Sequence, residues 1–184
     1  MKDSTGFEPS DWAFCGIFGA AALLLPAVFH VLHLGQVFLP MYLPLFALAF
    51  VVRPFPCGLT ALLVPLLSAV LTGMPPLYPP VAWMMAAELA MTTFATAWIA
   101  HRFPHWNPVL YLLPVLILGR FLNAAFHYAA ATVMNLPAGF VAGLSFLSAW
   151  PGVLLILLSI PPLSRILRRY RPARAIVPRG GDAR

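Results

Sequence analysis

Between Trp12 and Ser164 the chain carries only four full charges: Arg53, Glu88, Arg102 and Arg120. A water-soluble domain needs far more charged positions than that to cover its surface. Of the 184 residues, 61% are hydrophobic and 9% are charged, which is more apolar surface than a soluble domain of this size can hide. The expected fold class is therefore all-α: a polytopic, multi-pass membrane protein of one domain. The reading divides the chain into an N-terminal segment at 1–11, a six-helix membrane domain at 12–164 and a basic tail at 165–184. The net charge of +6 comes mainly from that tail, with seven Arg between Arg165 and Arg184. Such a tail reads as topogenic and lipid-facing. No folded basic face with reading side chains is visible, so nucleic acid is not an expected partner. Cys15 and Cys57 have neither metal-ligand nor disulfide-framework spacing. The start, MKDSTGFEPSDW, lacks the form of a secretory signal.

Six apolar runs are expected as spans: 12–34, 38–52, 57–72, 80–101, 108–133 and 138–163. The second is short and holds Pro40 and Pro44; it reaches only ~20–23 Å at 1.5 Å per residue. Arg53, Arg102 and the tail then share one face, and the turns GQVFLP, TGMPPLYPP and MNLPAG, all uncharged, share the other. The positive-inside rule places the charged face, and both termini, in the cytoplasm.

Glu88 lies inside the fourth run. An isolated carboxylate at that depth costs at least ~2.5 kcal/mol and faces a bundle interior or a wet cavity. Arg120, Asn123 and His127 follow i, i+3, i+7 spacing and share one face of the fifth run. Counting from the outer turns puts Glu88, Asn123 and His127 at comparable depth, with Arg120 near the middle. Ser145 of the sixth run and Gln36, beside His30 and His33, add polar groups in the same half. This one-sided polarity points to a cavity open to the outside. Met74 and Tyr78 sit on the Pro-rich outer turn, where they would form a stiff lid. The expected substrate-binding set is Glu88, Arg120, Asn123, His127, Tyr78, Met74, Ser145 and Gln36. The competing reading makes Glu88 and Arg120 a structural pair that only holds the bundle together.

Catalysis is not expected. The string around Ser145 is AGLSFLS, with no Gly two residues after the serine and no oxyanion arrangement. No phosphate loop is present. A metal site from His30, His33, Glu88 and His127 has suitable residue types but no compact ligand motif. No catalytic residue, cofactor or resident metal is expected.

Five strings resemble the substrate-binding S components of energy-coupling factor (ECF) vitamin transporters. In order they are GQVFLPMYLPLFALAF, LTALLVPLLSAVLTGMPPLYPP, MMAAELA, LGRFLNAAF and AWPGVLLILLSIPPL, covering roughly residues 35–163. The resemblance implies six helices in a prokaryotic plasma membrane, an outward-facing site near the outer leaflet, and uptake of a vitamin, vitamin precursor or similar small molecule. It also implies a transmembrane coupling subunit and two ATPase subunits as partners, which would carry all ATP hydrolysis. Family members often carry Ala-x-x-x-Ala on the first helix; the nearest match here is Gly16-x-x-x-Ala20, the expected subunit contact. Relatives tend to have His at the position of Tyr42 and Gln at that of Leu155. Nickel and cobalt members begin Met-His, whereas this chain begins MKDSTG, which argues against a metal substrate. The alternative is a non-transport six-helix membrane scaffold of the cell-shape (MreD-like) type, which needs no ligand pocket.

Overall fold

The computed structural model describes residues 9–31, 40–135 and 150–167. All regular structure among them is helical: α1 (Pro9–Val31), α2 (Tyr42–Leu48), α3 (Pro54–Thr72), α4 (Val81–Arg102), α5 (Pro108–Val133) and α6 (Trp150–Leu167). Four of these, α1, α3, α5 and α6, are long and apolar enough to cross a membrane. At 22 residues α4 is ~33 Å long and also matches the hydrocarbon thickness, but its interior carries Glu88 and three threonines.

Local chemistry sets the helix limits. Pro54 and Pro108 stand at the first helical positions, where a missing N–H costs nothing. The side chain of Asn107 caps α5 by accepting from the Val109 N–H at 3.1 Å. Gly73 closes α3 in the left-handed region, φ 74°, and its N–H reaches the Ala69 carbonyl, a conformation that costs an L side chain about 1–2 kcal/mol.

The outer surface is apolar, and the few polar side chains of the membrane-length helices are enclosed within a mainly apolar core. Leu63, Leu67, Val70 and Leu71 of α3, Trp83, Met91 and Trp98 of α4, and Leu110, Leu118 and Phe121 of α5 are exposed. Glu88, Thr92, Thr93, Thr96, Arg120 and His127 are buried. In water such a surface would aggregate; a bilayer solvates it. Each threonine of α4 bonds its hydroxyl to a carbonyl of its own helix, Thr92 to Glu88, Thr93 to Leu89 and Thr96 to Thr92, so each hydroxyl is satisfied in the dry interior.

The second expected span, 38–52, takes a different form. Its described helix is only seven residues, Tyr42–Leu48, or ~10 Å, and the chain then turns through residues 49–52. Helix α2 packs against α1, α3, α4 and α6. Leu45, Phe46, Leu48, Ala49 and Phe50 are fully buried. It is the plug around which the longer helices stand, and this role explains a run apolar on every side. The sixth helix is described over Trp150–Leu167, so it carries on past 163 through Arg165, as expected for a basic tail whose first turn continues the helix.

Pairs α3/α4 and α4/α5 run antiparallel. A Cβ on Gly58 of α3 would meet Phe94 Cβ at 3.2 Å and the Ala90 carbonyl at 3.4 Å. Cys57 Sγ lies 3.9 Å from the Thr93 carbonyl oxygen. Arg53 and Arg102 therefore lie at one end of the bundle and the Gly73 to Pro80 loop at the other. Asp11, in the first turn of α1, is also at the Arg53 end, with Arg53 Nε 3.9 Å from its Oδ2.

Candidate functional site

Three helices converge on Glu88. It lies two turns into α4 and is 1% exposed. Its Oε1 accepts from Arg120 Nη2 of α5 at 2.5 Å. Its Oε2 accepts from Tyr42 Oη, at the start of α2, at 2.9 Å and from Asn123 Nδ2 of α5 at 2.7 Å. Arg120 Nη2 also donates to Tyr42 Oη at 3.1 Å, and its guanidinium carbon stands 5.3 Å from the Tyr42 ring centre, a cation–π distance. The phenol thus receives from the cation and donates to the anion, so one positive and one negative group are joined by direct and relayed contacts. Charge-assisted bonds of this kind are roughly twice as strong as neutral ones. They are what allows two ions to persist in a low-dielectric interior.

Backbone placement makes the site possible. Arg120 and Asn123 are one turn apart on α5, so both reach the same carboxylate. His127, one further turn along, donates its Nδ1–H to the Asn123 carbonyl at 2.8 Å, which holds the ring against its own helix. Gly119 lets α5 approach α4: a Cβ there would sit 3.1 Å from Thr92 Cγ2 and 3.2 Å from Glu88 Oε1.

The structure brings together three of the sequence-predicted residues, Glu88, Arg120 and Asn123; His127 is buried one turn further along α5, with Nδ1 bonded to its own helix backbone. Met74 and Tyr78 are 59% and 75% exposed on the Gly73 to Pro80 loop, and no hydrogen bond joins their side chains to the cluster. That loop is tied down at its base. Ser68 Oγ and Thr72 Oγ1 both donate to the Met74 carbonyl, at 2.7 and 3.1 Å, and Ala82 N donates to the Pro76 carbonyl at 3.1 Å. Ser145 and Gln36 lie outside the described residues. Gly16 and Ala20 are exposed on α1, and a Cβ on Gly16 would meet nothing within 4 Å.

Two participants lie outside the sequence-predicted set: Tyr42 and Gly119. A buried tyrosine hydroxyl needs a hydrogen-bond partner, so Tyr42 in an apolar run was itself a signal. Gly119 directly before an intramembrane arginine was another, as small residues permit close helix contact.

The cluster consists of one ion pair and the hydrogen bonds around it. Both carboxylate oxygens are occupied. Arg120 forms its hydrogen bonds among the described residues through Nη2 alone, and Asn123 uses its amide nitrogen. The other guanidinium N–H groups and Asn123 Oδ1 are the polar capacity on this face of α5. Among the described residues no three His, Cys, Asp or Glu side chains gather as a metal-binding group. Comparison with protein-family models, curated proteins and solved structures returned no match.

Proposed function

We propose that the chain is the membrane-embedded, substrate-binding subunit of an ECF-type importer, which captures a vitamin, vitamin precursor or similar small molecule from outside the cell. The observation that supports this most is the cluster of Tyr42, Glu88, Arg120 and Asn123, contributed by three helices and set in an otherwise apolar wall. Ligand sites have that composition: mostly apolar, with a few convergent polar groups. In this reading Glu88 holds Arg120 and Asn123 in fixed directions. The remaining guanidinium N–H groups and Asn123 Oδ1 then meet an anionic or acceptor group and a donor group on the ligand, with His127 alongside. Ser145 and Gln36 belong to the same set, and the Pro-rich loop with Met74 and Tyr78 closes over it.

The proposal includes six membrane passes, with α2 and its flanking residues as the second and α4 as the fourth, and both termini in the cytoplasm. A reporter fused after Arg184 is expected to be active only in the cytoplasm; an extracytoplasmic signal would sink the topology.

A transmembrane coupling subunit would dock on the face of α1 that carries Gly16 and Ala20, and two ATPase subunits would complete the complex. Trp12, Ile17 and Leu24 are exposed on the same helix, so the small residues form a shallow notch among large ones, as helix interfaces in membranes prefer. Gly16→Leu or Ala20→Leu is expected to reduce co-purification of the ATPase subunits severalfold from native membranes while leaving ligand binding intact. Wild-type protein that brings no ATPase with it, or variants that bring as much as wild type, would count against the reading.

The MreD-like scaffold is the second reading. What favours it is the saturation of Glu88, since a carboxylate whose two oxygens already accept three bonds serves as a brace without a ligand.

A further inference from the structure

At the Arg53 end of the bundle, α4 finishes at Arg102 and the chain turns back into α5 at Pro108. An open cavity of about 410 Å³ lies there, lined by Ile99, Phe103, Trp106, Leu110, Pro114 and Leu118 among others. Along α5 it extends from Leu110 to Leu118, ~12 Å at the helical rise. That is less than half of a hydrocarbon core of ~30 Å, so the groove belongs to a single leaflet. The Phe103 and Trp106 rings stack at one end, 4.5 Å between centres. Trp106 is exposed, as an indole at a headgroup boundary is.

Arg102 stands at this end of the groove. It is exposed, and its guanidinium carbon is 5.5 Å from the Phe103 ring centre. The described residues include two carboxylates. Asp11 lies beside Arg53 and Glu88 is held by Arg120. Arg102 therefore has no carboxylate partner among the described residues. The groove combines bulky apolar walls one leaflet deep with an exposed cation at one end.

We propose that this groove holds an acyl chain of an anionic phospholipid, with the lipid phosphate on Arg102. Basic sites beside membrane helices recognise anionic headgroups in this way, and a guanidinium fits phosphate oxygens in a fork. A zwitterionic headgroup brings its own ammonium, which competes with Arg102. A partner helix is a poorer occupant, because such contacts favour small residues and the lining here is large.

The test is native mass spectrometry of the full chain in mild detergent, titrated with phosphatidylglycerol or phosphatidylcholine of identical acyl chains. Wild type is expected to retain phosphatidylglycerol with about fivefold preference, the size that one interfacial arginine supplies. Arg102→Gln should abolish the preference and Arg102→Lys should keep most of it. Leu118→Trp, which fills the groove from its exposed side, should weaken both lipids, and inorganic phosphate should not displace the bound lipid. A preference that survives Arg102→Gln would assign the lipid to the tail arginines and overturn the proposal. So would equal retention of the two lipids, displacement by inorganic phosphate, or a lipid-free dimer that Leu118→Trp dissociates.

Discussion

Arg120→Met, with Glu88 left in place, is expected to destabilise the protein by about 3–5 kcal/mol, the cost of stranding one partner of a buried ion pair. Glu88 is 1% exposed and its Oε1 depends on Arg120. Tyr42 and Asn123 still donate to Oε2 in the variant, but two neutral donors do not replace a cation. Glu88→Gln strands Arg120 in the same way. The double variant Glu88→Gln with Arg120→Met removes both charges together and should recover most of the loss, because the desolvation of both ions disappears with their attraction. The measurement is a double-mutant cycle on thermal unfolding in detergent. Two residues in direct contact should show a strong coupling. Simple additivity of the two single losses would mean that the pair does not brace the bundle.

Gly119→Val is the second large effect. The added Cβ would meet Thr92 Cγ2 at 3.1 Å and Glu88 Oε1 at 3.2 Å, and the two γ-methyls have still less room. Relief requires α5 to move away from α4, which draws Arg120 and Asn123 off the carboxylate. Overpacking alone costs about 1–3 kcal/mol, and the disturbed pair adds to it. Gly119→Ala should be milder, since replacing a helix-interior glycine regains roughly 0.5–1 kcal/mol of chain entropy against the clash. Gly16→Ala is the control: its Cβ would meet nothing within 4 Å, so only the gain remains. Thermal unfolding should rank Gly16→Ala above wild type, Gly119→Ala near or below it, and Gly119→Val lowest. A Gly119→Val protein as stable as wild type would remove close approach as the role of this glycine.

The helical class and the α5 face of the site were legible in the sequence. Arg120, Asn123 and His127 fall on one face by spacing alone, and counting inward from the loop put Glu88 at matching depth. Tyr42 was harder to read. Its contact with Glu88 joins residues far apart in the chain, and no periodicity encodes which point of α2 faces which turn of α4. The length of α2 was equally hidden. An apolar run reports that a segment is dry and does not say how much of it is helical or whether lipid or other helices enclose it. The sequence puts Asp11 in a terminal segment outside the first span, yet its side chain is buried beside Arg53 in the first turn of α1. That contact is again a product of packing between distant parts of the chain.

The most direct test of capture is native mass spectrometry of the full chain, purified from its own membranes without added ligand. Wild-type protein is expected to carry one small-molecule adduct per chain. Asn123→Ala, which removes a polar group proposed to meet the ligand and one donor to Glu88 but leaves the Glu88–Arg120 ion pair in place, is expected to lose the adduct while keeping its unfolding temperature within about 10 degrees of wild type. Wild-type protein free of any adduct, or an Asn123→Ala variant that retains it at full occupancy, would contradict the account.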